Sequence, residues 1–145
     1  MTPVLPDVDA LIRKALTAAL PGAATVTLWP DDWYERLPLV VARVASGSLP
    51  DPRFLGSSIV DVQACARERS AASLLARQAV AGLFDACRAQ FADEEAGGYL
   101  SYFDAAASQT PSELRTGSTA VMHTDTFRFQ ATCVVQARPL RAPAA

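Results

Sequence analysis

The chain has 145 residues, half of them hydrophobic and 19% charged, a globular and not a disordered composition that fits a single compact domain. The formal net charge is −2 and no block of lysine or arginine stands out, which argues against a groove that grips phosphate backbones. Three widely spaced cysteines match neither a disulfide framework nor a zinc motif, and no apolar run approaches the roughly 20 residues of a membrane span. With no basic region ahead of an apolar run, a secretory signal is not expected, and the reading is of a protein made and folded in the cytoplasm.

In chain order, Val8, Leu11, Ile12, Ala15, Leu16, Ala19 and Leu20 recur at the spacing of a one-faced helix, with Asp7 as its N-cap and Pro21-Gly22 as its stop. Ala23 to Trp29 alternates and predicts a short strand with Val26 and Leu28 on one face; Pro30-Asp31-Asp32 breaks it. Leu39 to Ala45, rich in β-branched residues, predicts a strand. Ser46 to Ser57, with Pro50 and Pro52 inside it, predicts a long loop joining that strand to a second one over Ser58 to Ala66. In the latter, Val60, Val62 and Ala64 point inward, and Asp61 and Gln63 outward.

A long helix capped by Ser70 follows. Its stripe is Ala72, Leu75, Ala76, Ala79, Leu83 and Cys87, widened by Val80, Phe84 and Phe91, and Gly97-Gly98 is its expected end. Gly98 to Asp104 predicts a strand, and Ala105 to Ser118 a second excursion. Thr124 to Ala137 is the longest alternating run, with Phe127, Phe129, Ala131, Cys133 and Val135 on one face and Arg128, Gln130, Thr132 and Gln136 on the other. Antiparallel hairpins covered by two helices give an α+β fold: two layers, a mostly antiparallel β-sheet with both helices packed on one face. The expected domain spans residues 1–137, and 138–145 read as an extended C-terminal tail.

The residues that carry chemistry converge on nothing. His123 is the only histidine, and Cys133 lies ten positions further along the same strand, beyond contact at about 3.3 Å per residue. Cys65 and Cys87 each sit on an apolar stripe, so the reading is packed thiols and a solvated imidazole. Gly-rich phosphate loops and the G-x-S-x-G nucleophile turn are absent, and the acidic runs Asp31-Asp32 and Asp93-Glu94-Glu95 read as solvated surface. Tyr99, Tyr102 and Phe103 lack the interleaved basic residues of a base-stacking platform, so sheet packing explains them. No catalytic residue, metal ligand or cofactor site is expected.

The residues that stand out are of interface type. Trp29 and Trp33 either anchor a partner or close one end of the core. Leu49, Arg53, Phe54 and Leu55, in the proline-stiffened Ser46–Ser57 segment, either pack on a neighbouring subunit or fold back over their own sheet. Arg67 and Arg69 form either a polar turn or part of a charged subunit interface, and Arg115 in the second excursion is a further candidate.

Three stretches carry a resemblance: WYERLPLVVARVASGS, then DPRFLGSSIVDVQACARERSAASLLARQAVAGLF, then TFRFQATCVVQARP. They resemble the tail terminator (tail completion) proteins of long-tailed phages. The features are Pro38 ahead of the apolar strand Leu39–Val44, Val60-Asp61-Val62 running toward an alanine-rich helix, Phe127-Arg128-Phe129 and the closing Ala137-Arg138-Pro139. A double glycine that many relatives carry after the first of these strands is here Ser46-Gly47-Ser48. The resemblance implies a virion protein of the tail neck, assembled in the host cytoplasm. Its implied partners are itself in a hexameric ring, the tail tube protein and the head–tail connector, with DNA passing through the lumen without specific binding. Alternatives are another neck component, such as a head-completion or adaptor protein, or a small α+β ligand-binding protein.

Overall fold

The computed structural model describes residues 3–114 and 126–140. Helix α1 (Val8–Ala19) is capped by Asp7, whose side chain accepts from the Ala10 N–H, and it buries Leu11, Ile12, Ala15 and Leu16. Strand β1 (Ala24–Val26) is shorter than its alternation predicts. Beyond Val26 the chain leaves the sheet, and Leu28, expected to share a face with Val26, is 66% exposed.

Strands β2 (Leu39–Asp51) and β3 (Leu55–Ala66) form one long antiparallel ribbon. The predicted Ser46–Ser57 loop is therefore strand on both sides, closed by a turn over residues 52–54. Pairing continues through Ser46↔Ile59, Gly47↔Ser58, Ser48↔Ser57 and Asp51↔Leu55, with irregularities after Val44 and Ser48. Serine, glycine and proline hid this from a reading based on apolar alternation, since backbone hydrogen bonds hold a ribbon that buries little. Gly47 is needed where the strands approach most closely: a Cβ there would run into the Ser57 carbonyl oxygen.

Helix α2 (Arg69–Arg88) buries Ala72, Leu75, Ala76, Ala79, Leu83 and Cys87, the predicted stripe. Its N-cap is Glu68 and not Ser70, with the Ala72 N–H bonded to the Glu68 carbonyl at 3.0 Å. It also ends nine residues before Gly97. Gln90 turns to φ 54°, the Gln90 N–H bonds the Cys87 carbonyl and the Phe91 N–H bonds the Ala86 carbonyl, a Schellman stop built without glycine. Phe91 thus packs on the core from the connection beyond the helix.

Strands β4 (Ala92–Asp93) and β5 (Gly98–Phe103), then β6 (Ser112–Glu113) and β7 (Phe127–Pro139), complete the sheet. The order is β1-β2-β3-β7-β5-β4, with β6 beside the first half of β7. Only β1 and β2 run parallel. The fold is α+β: two helices on a mixed, mostly antiparallel, curled sheet. The described part of the predicted second excursion lies along the sheet, with the Gln109 N–H bonded to the Thr132 carbonyl and the Leu114 N–H to that of Arg128. Residues 115–118, 123 and 141–145 lie outside the described residues. Strand β7 runs two residues into the predicted tail, pairing Arg138 with Tyr99 and Pro139 with Gly98.

The core sits between helices and sheet. Val40 and Ala42 of β2, Val60, Val62 and Ala64 of β3, and Phe129, Cys133, Val135 and Ala137 of β7 meet Leu11, Ile12, Leu16, Leu75, Ala76 and Leu83. Each large apolar side chain removed from water there contributes about 1.5–3 kcal/mol. At the edge, Lys14 of α1 holds Asp93 at 2.8 Å and Glu95 at 3.1 Å, and the Asp7 N–H donates to the Ala96 carbonyl, tying α1 to the β4–β5 turn.

Two predictions follow from this packing. Leu83 is fully buried, so Leu83→Ala should destabilise the fold by about 2–5 kcal/mol in denaturant unfolding; an unchanged midpoint would place the stripe against solvent. The hydrogen bond from Lys14 lowers the Asp93 carboxyl below its ordinary 3.8, so its folded-state value lies under its unfolded one. The corresponding stability is complete above the ordinary value and is lost as pH falls through the lowered folded value. Acid unfolding of Lys14→Met should therefore show a shallower fall with pH below about 4 than the parent chain.

Candidate functional site

Two clusters gather the interface-type residues, and they lie toward opposite ends of β2, whose twelve steps at about 3.3 Å span roughly 40 Å. The first is the ribbon tip. β1 pairs only with Leu39–Val41, so the far half of β2 has no outer strand among the described residues; the Val44 N–H is satisfied instead by the Asp9 carboxylate at 2.7 Å. Residues 45–50 are exposed. Leu49 is 63% exposed and Phe54 42%, while Leu55 is half-buried.

Arg53 is held by a forked pair of bonds to Asp51, Nε to Oδ1 at 3.0 Å and Nη2 to Oδ2 at 2.8 Å. The side-chain and backbone bonds from Arg53 hold the Asp51 carboxyl below its ordinary range. The Phe54 ring lies between two guanidinium groups, Arg53 and Arg138, each 5.5 Å from its centroid. The tip is thus pre-ordered by its own contacts, although both Arg53 and Phe54 remain open to solvent. Arg138 is not among the interface candidates of the sequence, where it stands only in the closing Ala137-Arg138-Pro139 motif at the start of the expected tail.

The second cluster covers the sheet face away from the helices. Residues 27–36 cross this face, passing through a 3₁₀ turn at Trp33–Arg36. Side chains form a continuous ladder: Arg67 lies 4.6 Å over Tyr34, Tyr34 meets Trp33 edge-on at 5.8 Å, Trp33 meets Trp29 edge-on at 5.7 Å, and Arg128 lies 4.5 Å over Trp29. Each cation–π contact is worth about 0.5–1 kcal/mol when exposed and about 2 when desolvated. Trp29 and Trp33 are half-buried against this face of the sheet.

Under the ladder runs a polar row. Asp61 accepts from the side-chain amides of Gln63 and Gln130, in the register Gln63↔Gln130 and Asp61↔Thr132. Burial lowers the Arg128 guanidinium from its ordinary value, and Arg128 makes no ion pair among the described residues. Its Nε and the Gln63 Oε1 are buried with no hydrogen-bond partner, at about 1–3 kcal/mol each. Beside them a cavity of about 130 Å³ is lined by Thr27, Leu28, Trp29, Val41, Arg43, Asp61 and Gln63. Arg128 was legible as an outward residue of a Phe-Arg-Phe alternation, but its stacking partner comes from 99 positions away.

The remaining candidates separate. Arg67 is taken up by Tyr34, whose hydroxyl accepts from its Nη1 at 3.3 Å. Arg69 pairs with Glu113 at 2.9 Å and lies over Phe129, so it fastens the start of α2 to β6. Arg115 lies outside the described residues, as does His123. Among the described residues no three metal-ligating side chains come together. Burial pushes the Cys87 thiol up to about 12 and Cys133 to about 11, and raises Cys65 as well, so all three are protonated at neutral pH. The described surface carries stacked guanidinium and aromatic groups and an exposed strand edge. Comparison with models of known protein families finds no match, and a search of curated proteins finds no relative.

Proposed function

We propose that this chain is a structural ring subunit of a phage-type tail, of the tail-terminator kind. It caps the tail tube, stops its polymerisation and joins the tail to the head–tail connector, while DNA passes through the lumen unbound. The observation that carries this reading is the β2–β3 ribbon. The core positions of β2 end at Val44, whereas β3 goes on beside β7 as far as Gly56↔Ala137, opposite the core residues Val135 and Ala137. Beyond Val44 it is β2 that runs on to Asp51 with residues 45–50 exposed, ordering backbone at a cost of about 1–2 kcal/mol per residue without placing side chains in the core. Such an extension is repaid when something else packs on it. Leu49 and Phe54 supply apolar contact, and the Asp51–Arg53 fork lowers the ordering cost of docking.

A closed ring requires two different, complementary patches on each subunit. The tip and the aromatic ladder are different surfaces near opposite ends of one strand, which suits head-to-tail contact. The net charge of −2 suits a conduit that must let DNA slide. No described helix is long and apolar enough to cross a membrane.

The test is the double substitution Arg53→Ala with Phe54→Ala, introduced into tail-forming particles and into the purified chain. Both side chains are solvent-open, so the unfolding midpoint of the purified chain should stay within about 1 kcal/mol of the parent. Tails seen by electron microscopy should be overlong or headless. Tails of normal length joined to heads would overturn the reading. Locating the chain away from the tube–connector junction in intact particles would favour a different neck component.

A further inference from the structure

The open sheet face carries a feature that ring assembly alone does not require. Leu39 and Cys65 are completely buried, yet both lie on the face turned away from the helices, where Leu39 pairs with Cys65 and Cys65 with Arg128. Neither belongs to the helix-side core cluster, whereas Cys87 and Cys133 both do. Over this row lies the 27–36 segment, with the Trp29 ring on the Arg128 guanidinium. The three cysteines of the chain therefore sit in two separate layers.

The upper layer is built differently from the lower. Among the described residues, the backbone hydrogen bonds made within 27–36 are local, from the Trp33 N–H to the Pro30 carbonyl and from the Glu35 N–H to the Asp32 carbonyl. Sheet pairing by this stretch of chain stops at Val26 and resumes at Leu39. Contact with the sheet is through side chains, with Arg128 on Trp29 and Arg67 on Tyr34 near its two ends. Beneath it the Arg128 Nε and Gln63 Oε1 lack partners, and Gln63 lines a cavity shared with Trp29 and Asp61. A layer that leaves buried polar atoms unpaired and adds no strand to the sheet has less to lose on opening than the helix–sheet core.

We propose that residues 27–36 form a strap that opens and recloses as a unit while the rest of the fold stays intact, uncovering Cys65 and the Asp61–Gln63–Gln130–Arg128 row. Opening lets water reach the Arg128 and Gln63 atoms that lack partners in the closed form, which offsets part of what is lost with the strap's side-chain contacts, the two cation–π contacts and the Arg67–Tyr34 hydrogen bond among them. The device is independent of the proposed tail function. It predicts that a thiol buried as completely as any in the molecule is nonetheless the first to react, although burial raises its pKa while the strap is closed.

Thiol labelling of the full chain with 5,5′-dithiobis(2-nitrobenzoic acid) under native conditions, with the modified cysteine identified by peptide mass spectrometry, tests this. Cys65 should label at least about ten-fold faster than Cys87 and Cys133, and its rate should respond weakly to low urea, as local opening does, while theirs rises steeply with global unfolding. Trp29→Ala should speed Cys65 labelling by a further factor of about ten and leave the other two rates unchanged. Three cysteines reacting at one common, steeply urea-dependent rate would overturn the proposal. So would a Trp29→Ala chain in which all three accelerate together, since the strap would then belong to the cooperative core. The urea dependence of the unsubstituted chain decides the matter even if Trp29→Ala does not fold.

Discussion

Strand β3 is the element on which the rest of the molecule depends, because it pairs with β2 on one side and β7 on the other along most of its length. Its period of two sends Val60, Val62 and Ala64 into the helix-side core and Asp61, Gln63 and Cys65 to the opposite face. A slip of one residue would put two polar groups under α2 and three apolar ones beneath the strap, so the register is specified from both faces at once. The adjoining strands inherit that register: Ala42 meets Val62, and Ala131 meets it from the other side.

Two parts of the structure depart from this frame. The ribbon carries β2 past its last core residues, held by backbone bonds to β3 and by the Asp51–Arg53 fork. The strap crosses the open face on stacked side chains. The core therefore acts as a rigid base, and the surfaces suited to contact are carried by elements whose burial is low or whose attachment is by side chains. The proposed ring subunit would use this division, since its folded unit must survive alone and still present surface to its neighbours.

The cation–aromatic contacts tie distant parts of the chain together at small individual cost. Arg69 links α2 to β6 and β7 through Glu113 and Phe129, Arg67 and Arg128 link β3 and β7 to the strap, and Arg138 links the end of β7 to the ribbon tip. Guanidinium groups serve here because they stay charged while lying flat on a ring and pairing sideways with a carboxylate. Several arginines are thereby engaged within the chain, which leaves the ribbon tip, with Leu49 and Phe54, as the more open of the two surfaces.

The helices, the central stripe of α2, the alternation of β3 and β7 and the α+β class were legible in the residues alone, because those features are periodic and driven by removing apolar side chains from water, although Phe84, read as widening the stripe, is 41% exposed. The sequence also marked Trp29, Trp33, Arg53 and Phe54 as residues of contact type. Only the tertiary structure decided that Ser46–Ser57 is ribbon and not loop, since strands held by backbone bonds need no apolar pattern. The end of α2 was likewise hidden, because Gln90 takes up a left-handed conformation that glycine signals but does not monopolise. The ladder from Arg67 to Arg128 was invisible for a further reason: its partners come from three separated parts of the chain, and a stacking contact leaves no spacing rule behind.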